Sequence, residues 1–243
     1  MNFLKYIRGE EDEIFIKLAK RFNTLFIRDH SSFTKIKNVN KLTYHDINNF
    51  DEKVFIIEYT HSDGNESTGS AFILHNYPYL ITCSHVVGEV KGNNFFHDGS
   101  ITIINYKHQK EKVKLITKCD HHDIAILELP NFLKNKYTLY NASLNQHYFS
   151  NLKLSTSIKY LGFPNYKFPD EYSMTEANIT SMKTSSLREY IEVDKTIKSG
   201  NSGGPAIFKN KVIGLCTNGD HTMGSMPNRI LSVKHIIKLL DSI

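Results

Sequence analysis

One short segment, Ser199-Gly200-Asn201-Ser202-Gly203-Gly204-Pro205, places a serine among three glycines. Glycines let a chain turn sharply and let another molecule come close to the backbone. A serine at such a turn projects its hydroxyl while the neighbouring backbone N–H groups converge on one point. Those are the parts of an acyl-transfer site: a nucleophile and an oxyanion hole. An ordinary Gly/Ser loop is the plainer alternative. Ser202 would need a base, and with twelve histidines in the chain the presence of one carries no information. His85 stands out because the strand-like run Leu80-Ile81-Thr82-Cys83-Ser84 ends at it, which would lift the imidazole at a rim. The base in turn needs a carboxylate to hold its tautomer. Asp123 opens the apolar run DIAILEL, where an unpartnered carboxylate would be costly. Asp120 is a rival that lacks the adjoining apolar strand.

These three segments need a scaffold, and the hydrophobic pattern describes one. VFIIEYT (54–60), SAFILHN (70–76), YLITC (79–83), SITIINY (100–106), KVKLIT (112–117) and DIAILEL (123–129) are short, β-rich runs. Gly, Asn, Asp and Pro signals separate them. A second set follows: SIKYLGF (157–163), NITSM (178–182), EYIEVD (189–194), GPAIF (204–208), KVIGLCT (211–217) and NRILSV (228–233). Residues 233–243 space Ile236, Ile237, Leu240 and Ile243 as a closing helix. The expected fold class is all-β, with two six-stranded antiparallel β-barrels over about 51–130 and 155–233. The polar stretch 130–153 would bridge them. Residues 1–50 read as an extension outside the core. There Ile14, Leu18 and Phe22 line one face of a helix over 10–22, a face that would pack on a regulatory partner.

Composition narrows the remaining choices. The chain has 243 residues, 40% apolar and 23% charged, as folded domains do. A net charge of +5 over this length is mild, and no basic, aromatic-interleaved patch is visible, so neither nucleic acid nor a membrane is expected as partner. Lys107, Lys110, Lys112 and Lys114 read as the solvated face of a hairpin. No run of about 18 apolar residues exists to span a bilayer. The opening MNFLKYIRGEEDEIF meets Glu10, Glu11, Asp12 and Glu13 too early for a secretory signal. With three widely spaced cysteines, Cys83, Cys119 and Cys216, a disulfide framework is not expected either. A reducing, cytoplasmic compartment follows as the expectation. No cofactor and no metal are expected, since adjacent His121 and His122 on a strand would face opposite sides.

The three segments also resemble a known family. ITCSHVV is similar to the T-A-A-H-x motif of chymotrypsin-like serine proteases, DIAIL to their D-I-A-L-L, and GNSGGP to their G-D/N-S-G-G-P. The chain order His85, Asp123, Ser202 is theirs as well. The likeness covers about residues 54–240. In motif flavour it resembles the bacterial HtrA (Deg) proteases, through VDKTIKSGNSGGP and TGSAFIL. Only residues 220–243 follow Gly219, so no PDZ domain is expected.

The resemblance implies a role for each position. His85 would be base and then acid, Asp123 its orienting group, Ser202 the nucleophile. The N–H groups of Gly200 and Ser202 would form the oxyanion hole. Gly214-Leu215-Cys216-Thr217-Asn218-Gly219 resembles the fold's G-I-V-S-W-G. There the backbone of Thr217 and Gly219 would pair with an extended substrate, and the Thr217 hydroxyl would support the carboxylate. The pocket for the residue before the scissile bond would be set by Thr196, with Ile197 and Cys216, giving a preference for small or medium apolar side chains; His221 is near enough in sequence to complicate this. Asn201 replaces the aspartate that pairs with a freed amine in trypsin-type zymogens, which speaks against that activation route. The implied activity is serine endopeptidase on a polypeptide substrate through an acyl-enzyme. Rival readings are a latent protease-fold scaffold, a self-processing viral-type protease, and an effector protease activated by a partner in a bacterial defence or stress system.

Overall fold

The computed structural model describes residues 54–74, 77–91, 94–133, 152–167, 172–185, 188–218 and 228–243. They all belong to one compact unit, Asn48–Ile243. The extension 1–50 with its helix, and most of the bridge 130–153, lie outside them.

The first half builds a seven-stranded antiparallel sheet from β1 (Val54–Thr60), β2 (Glu66–Ile73), β3 (Tyr79–Thr82), β6 (Ser100–Ile104), β7 (Lys110–Val113), β8 (Leu115–Cys119) and β9 (Ile124–Glu128). Its order is β7-β6-β1-β2-β3-β9-β8. The two edge strands are successive pieces of one segment, interrupted only at Lys114. The sheet therefore curls into a half-barrel whose two edges are halves of a single bent strand, so it counts six strands when β7 and β8 are taken as one. Even at that bend the ladder is partly kept, since Glu128 N donates to Lys114 O at 2.9 Å. A small hairpin, β4 (Glu89–Lys91) with β5 (Asn94–Phe96), was not legible in the pattern.

In the second half, β10 (Ser157–Gly162), β11 (Ser173–Ser185), β12 (Arg188–Val193), β13 (Pro205–Phe208), β14 (Lys211–Asn218) and β15 (Asn228–Ser232) close into a six-stranded barrel. Helix α1 (Val233–Leu240) follows at once, capped by Ser232, whose hydroxyl accepts from Lys234 N. Its buried face is Val233, Ile236 and Leu240. Ile243 lies beyond the helix and is exposed, contrary to the sequence expectation.

Two apolar clusters hold these elements. One fills the first half and continues through Leu161, Phe163, Leu215, Leu231, Ile236 and Leu240, so the two halves and the helix share a core. The other fills the second barrel. Strands such as β1 and β9 are apolar on both faces because one face lines the barrel and the other is covered. Each fully buried Ile, Leu or Phe among them contributes roughly 1.5–3 kcal/mol.

Candidate active site

His85 does not sit at the end of β3 but on the 3₁₀ turn Ser84–Val86 that follows it. Val86 and Val87 are buried beneath that turn, while the imidazole keeps 35% of its surface exposed. Asp123 immediately precedes β9 and terminates a second 3₁₀ turn, Asp120–His122. Its backbone is left-handed, φ 55°, which a short polar side chain tolerates better than most. That conformation turns the carboxylate back toward His85. Oδ1 accepts the Ser84 hydroxyl at 2.9 Å and His85 N at 3.0 Å. Oδ2 accepts His85 Nδ1 at 2.8 Å and the Thr217 hydroxyl at 2.5 Å.

Four donors thus meet on one carboxylate. Burial alone would push Asp123 up. The adjacent His85 charge and the bonds from His85 and Thr217 outweigh this and bring it down to about 2. For His85, burial pushes downward, but the bond to Asp123 and its charge leave it above its ordinary value. With Nδ1 donating to Asp123, Nε2 is left as the proton acceptor. The rival carboxylate, Asp120, is instead paired with Lys118.

Ser202 lies on the turn that leads into β13. Asn201 N donates to Lys198 O, Gly204 N to Asn201 O, and Gly203 N to Cys216 O. Gly200 and Gly203 have φ of 92° and 87°, where a side chain is strained, and a Cβ on either would lie about 2 Å from a carbonyl oxygen. Ser202 is only 3% exposed, and its Oγ has no hydrogen-bond partner among the described residues. The end of β14 gathers all three segments. Cys216 O accepts both Gly203 N and the Cys83 thiol, the latter at 3.2 Å, and the next residue, Thr217, holds Asp123.

The oxyanion candidates Gly200 and Ser202 share this turn. Ser199 O accepts from Asn165 N at 3.0 Å. Because a trans peptide points its N–H opposite its C=O, Gly200 N–H faces away from Asn165. The pocket residues divide. Thr196 is exposed, with its carbonyl bonded to the Tyr160 hydroxyl, whereas Ile197 and Cys216 are buried in the core of the second barrel. Thr217 and Asn218 end β14, paired with Arg229 and Asn228; Gly219 and His221 lie outside the described residues. Sequence reasoning missed Asn228, whose side-chain oxygen accepts Ile197 N at 2.9 Å. No local pattern links positions this far apart. It also missed the Ser84 hydroxyl as a donor to Asp123.

Among the described residues, Cys83, His85 and Asp123 form the one cluster of metal-ligand type, their atoms within 4.8 Å of one another. The Cys83 thiol is buried and pushed well up by that burial, so it resists becoming the thiolate that a metal requires. His121 and His122 sit on a turn, not on a strand as the sequence reading assumed. The His122 ring stacks on His235 at 4.3 Å and its Nδ1 lies 3.2 Å from Cys119 Sγ.

Two curled antiparallel β-units, with the Ser202 turn, Cys83 and Asp123 each tied to the end of β14, form the chymotrypsin-like architecture. The family model of the trypsin-like peptidase domain matches residues 69–215, and the chain belongs to that family. Its fold is similar to that of the HtrA-type protease AlgW solved with a tripeptide, at 19% identity and a TM-score of 0.59, covering 79% of this chain and 60% of that one. A serine endoprotease from Yersinia pestis matches at 17% identity and TM-score 0.60, covering 79% and 62%. A protease from M. tuberculosis in its active form matches at 16% and 0.60, covering 79% and 81%. The chain thus spans about 60% of the length of the AlgW chain it resembles. A search of curated protein sequences finds no significant match.

Proposed function

We propose that this chain is a serine endopeptidase that cleaves polypeptides through an acyl-enzyme. The observation that carries the reading is the His85–Asp123 pair, its Nε2 left as acceptor, on the same strand end that anchors the Ser202 turn. In the first step Ser202 Oγ forms a bond to the scissile carbonyl carbon as its proton passes to His85 Nε2. The carbonyl π electrons move to oxygen, where the N–H groups of Gly200 and Ser202 receive the charge. The intermediate collapses, the C–N bond breaks, and His85 returns the proton to the leaving amine. Water then repeats the sequence on the ester and frees Ser202. Asp123 stays ionised throughout, holding the Nδ1 tautomer and stabilising the imidazolium. An extended substrate is read as pairing with the backbone of Thr217, at the end of β14, and with that of Gly219.

Before the scissile bond the reading expects a small or medium apolar side chain, such as Val, Ala, Thr or Leu. Thr196 supplies no carboxylate for Lys or Arg, and discrimination among apolar residues should stay within about 1–3 kcal/mol per methylene. Residues 1–50 are read as docking a regulatory protein. A fluorophosphonate probe tests the core of the reading: the parent chain should be labelled at Ser202 and the Ser202→Ala chain should not. A parent that resists the probe would favour a protease-fold scaffold. Cleavage of a peptide series confined to Lys and Arg, or to Glu, would overturn the specificity.

A further inference from the structure

The oxyanion hole takes its N–H groups from the Ser199–Gly200 and Asn201–Ser202 peptides, so it depends on Ser199–Gly200 and the intervening Gly200–Asn201 peptide keeping one orientation. They meet at Gly200, a residue whose backbone crosses between conformations at little cost. Within the turn Asn201 N donates to Lys198 O, and two further holds on the carbonyls come from outside it. Asn165 N holds the first carbonyl, as above. The second, Gly200 O, accepts the Ser70 hydroxyl at 2.6 Å.

Ser70 belongs to β2, in the other half of the fold, and is fully buried. Its hydroxyl oxygen also accepts Phe163 N at 3.1 Å, just past the end of β10. Its backbone N donates to Ser202 O at 2.8 Å, and its carbonyl accepts the Thr82 hydroxyl at 2.8 Å. One residue of the first sheet thus grips Gly200, Ser202 and the Phe163 backbone on which the Gly200 turn rests. The site is closely packed: a Cβ on Gly162 would fall 2.9 Å from Ser70 Oγ. Loss of the hydroxyl would take from Gly200 O its donor and from Phe163 N its acceptor.

We propose that Ser70 is a positioning residue of the oxyanion hole, its hydroxyl locking the Gly200 carbonyl so that the Gly200 and Ser202 N–H groups stay aimed at the developing oxyanion. The proposal rests on Ser202 being the nucleophile. Removing an oxyanion donor outright costs about 10²–10³ in kcat. Loosening one through Ser70→Ala should cost roughly 10–100-fold in kcat, with KM changed less than about threefold.

The test uses the full-length chain, with turnover expressed per active site titrated to completion by an acylating reagent. Thr82→Val is the comparison, because it removes a hydroxyl bound to Ser70's own carbonyl and leaves Gly200 O untouched. Ser70→Ala is expected to lose kcat per titrated site and, by the same factor as kcat/KM, affinity for a peptide boronate. Thr82→Val is expected to lower the unfolding midpoint while keeping kcat per site near the parent. Parental kcat per site in Ser70→Ala, or equal losses in the two variants, would overturn the proposal. Should Ser70→Ala not fold, Ser70→Cys carries the same comparison with a weaker donor of similar shape. A parent chain unlabelled at Ser202 by fluorophosphonate would instead overturn the reading of the site beneath it.

Discussion

The Cys83 thiol donates to the carbonyl of Cys216 across the two halves of the fold, at 3.2 Å. Cys83 precedes the turn that bears His85, and Cys216 precedes the threonine that holds Asp123. Both sulfurs are fully buried and neither is in a disulfide. Burial pushes both thiols well above their ordinary values. In native protein, iodoacetamide should therefore leave Cys83 and Cys216 unmodified, and label them only on unfolding. Cys83→Ala should cost about 1–3 kcal/mol through the lost bond and the small cavity, read from denaturant midpoints.

Catalysis needs neutral His85, and Asp123 raises the value at which His85 loses its proton. The kcat/KM of the parent should therefore rise with pH through a midpoint above 6.5, measurable with a peptide substrate. Stability runs the other way for this group: its contribution is complete below 6.5 and is lost as pH rises through the folded value.

Acid stability follows different groups. His235 is pushed down to about 4 by burial and by the neighbouring His122, and its Nε2 accepts Glu189 N. Its contribution is complete above 6.5 and is lost as pH falls toward 4. That of Asp123 is present above 3.8 and is lost as pH falls toward 2. Denaturant midpoints should thus fall in two stages on acidification. His235→Gln, which retains an acceptor, should flatten the first stage and leave the second.

Asp123→Asn should lower kcat by about 10⁴-fold through the wrong imidazole tautomer. Asp120→Asn, which breaks only an exposed pair with Lys118, should lower it less than about twofold. Ser84→Ala removes one of four donors to Asp123, a bond to a charged group worth about 1.5–3 kcal/mol. Part of that should appear as a kcat/KM loss of roughly 10-fold. Equal losses at Asp120 and Asp123 in steady-state assays would mean that the carboxylate is wrongly assigned.

Gly203→Ala should abolish folding. Its φ is 87°, and an added Cβ would sit 2.0 Å from Ser70 O and 2.3 Å from Thr82 Oγ1, both on the neighbouring sheet. A left-handed alanine alone costs about 1–3 kcal/mol, and the clash adds to it. Soluble expression and a thermal melt check this. A well-folded variant with the parent's melting point would overturn the geometry of the turn.

Most of the strands could be read from the chain itself, which also singled out His85, Asp123 and Ser202 as candidates. Alternation, apolar runs and glycine signals are local, and the three short motifs lie on such runs. The bend at Lys114 could not be read, because KVKLIT is uniformly β-rich and only curling of the sheet makes its two ends pair with different neighbours. Nor could the partners of the site. Ser70 meets Gly200, Ser84 meets Asp123, and Asn228 meets Ile197 through bonds between residues far apart in sequence, and no pattern of spacing encodes such a meeting. The resemblance implied Thr196 as the pocket floor; that it is exposed and tied through its carbonyl to Tyr160 is visible only in the fold. Residue type and local order determined which groups could do the chemistry. Tertiary packing decided which hydroxyls and carbonyls hold them, because a buried polar group must find its partner wherever the fold brings one.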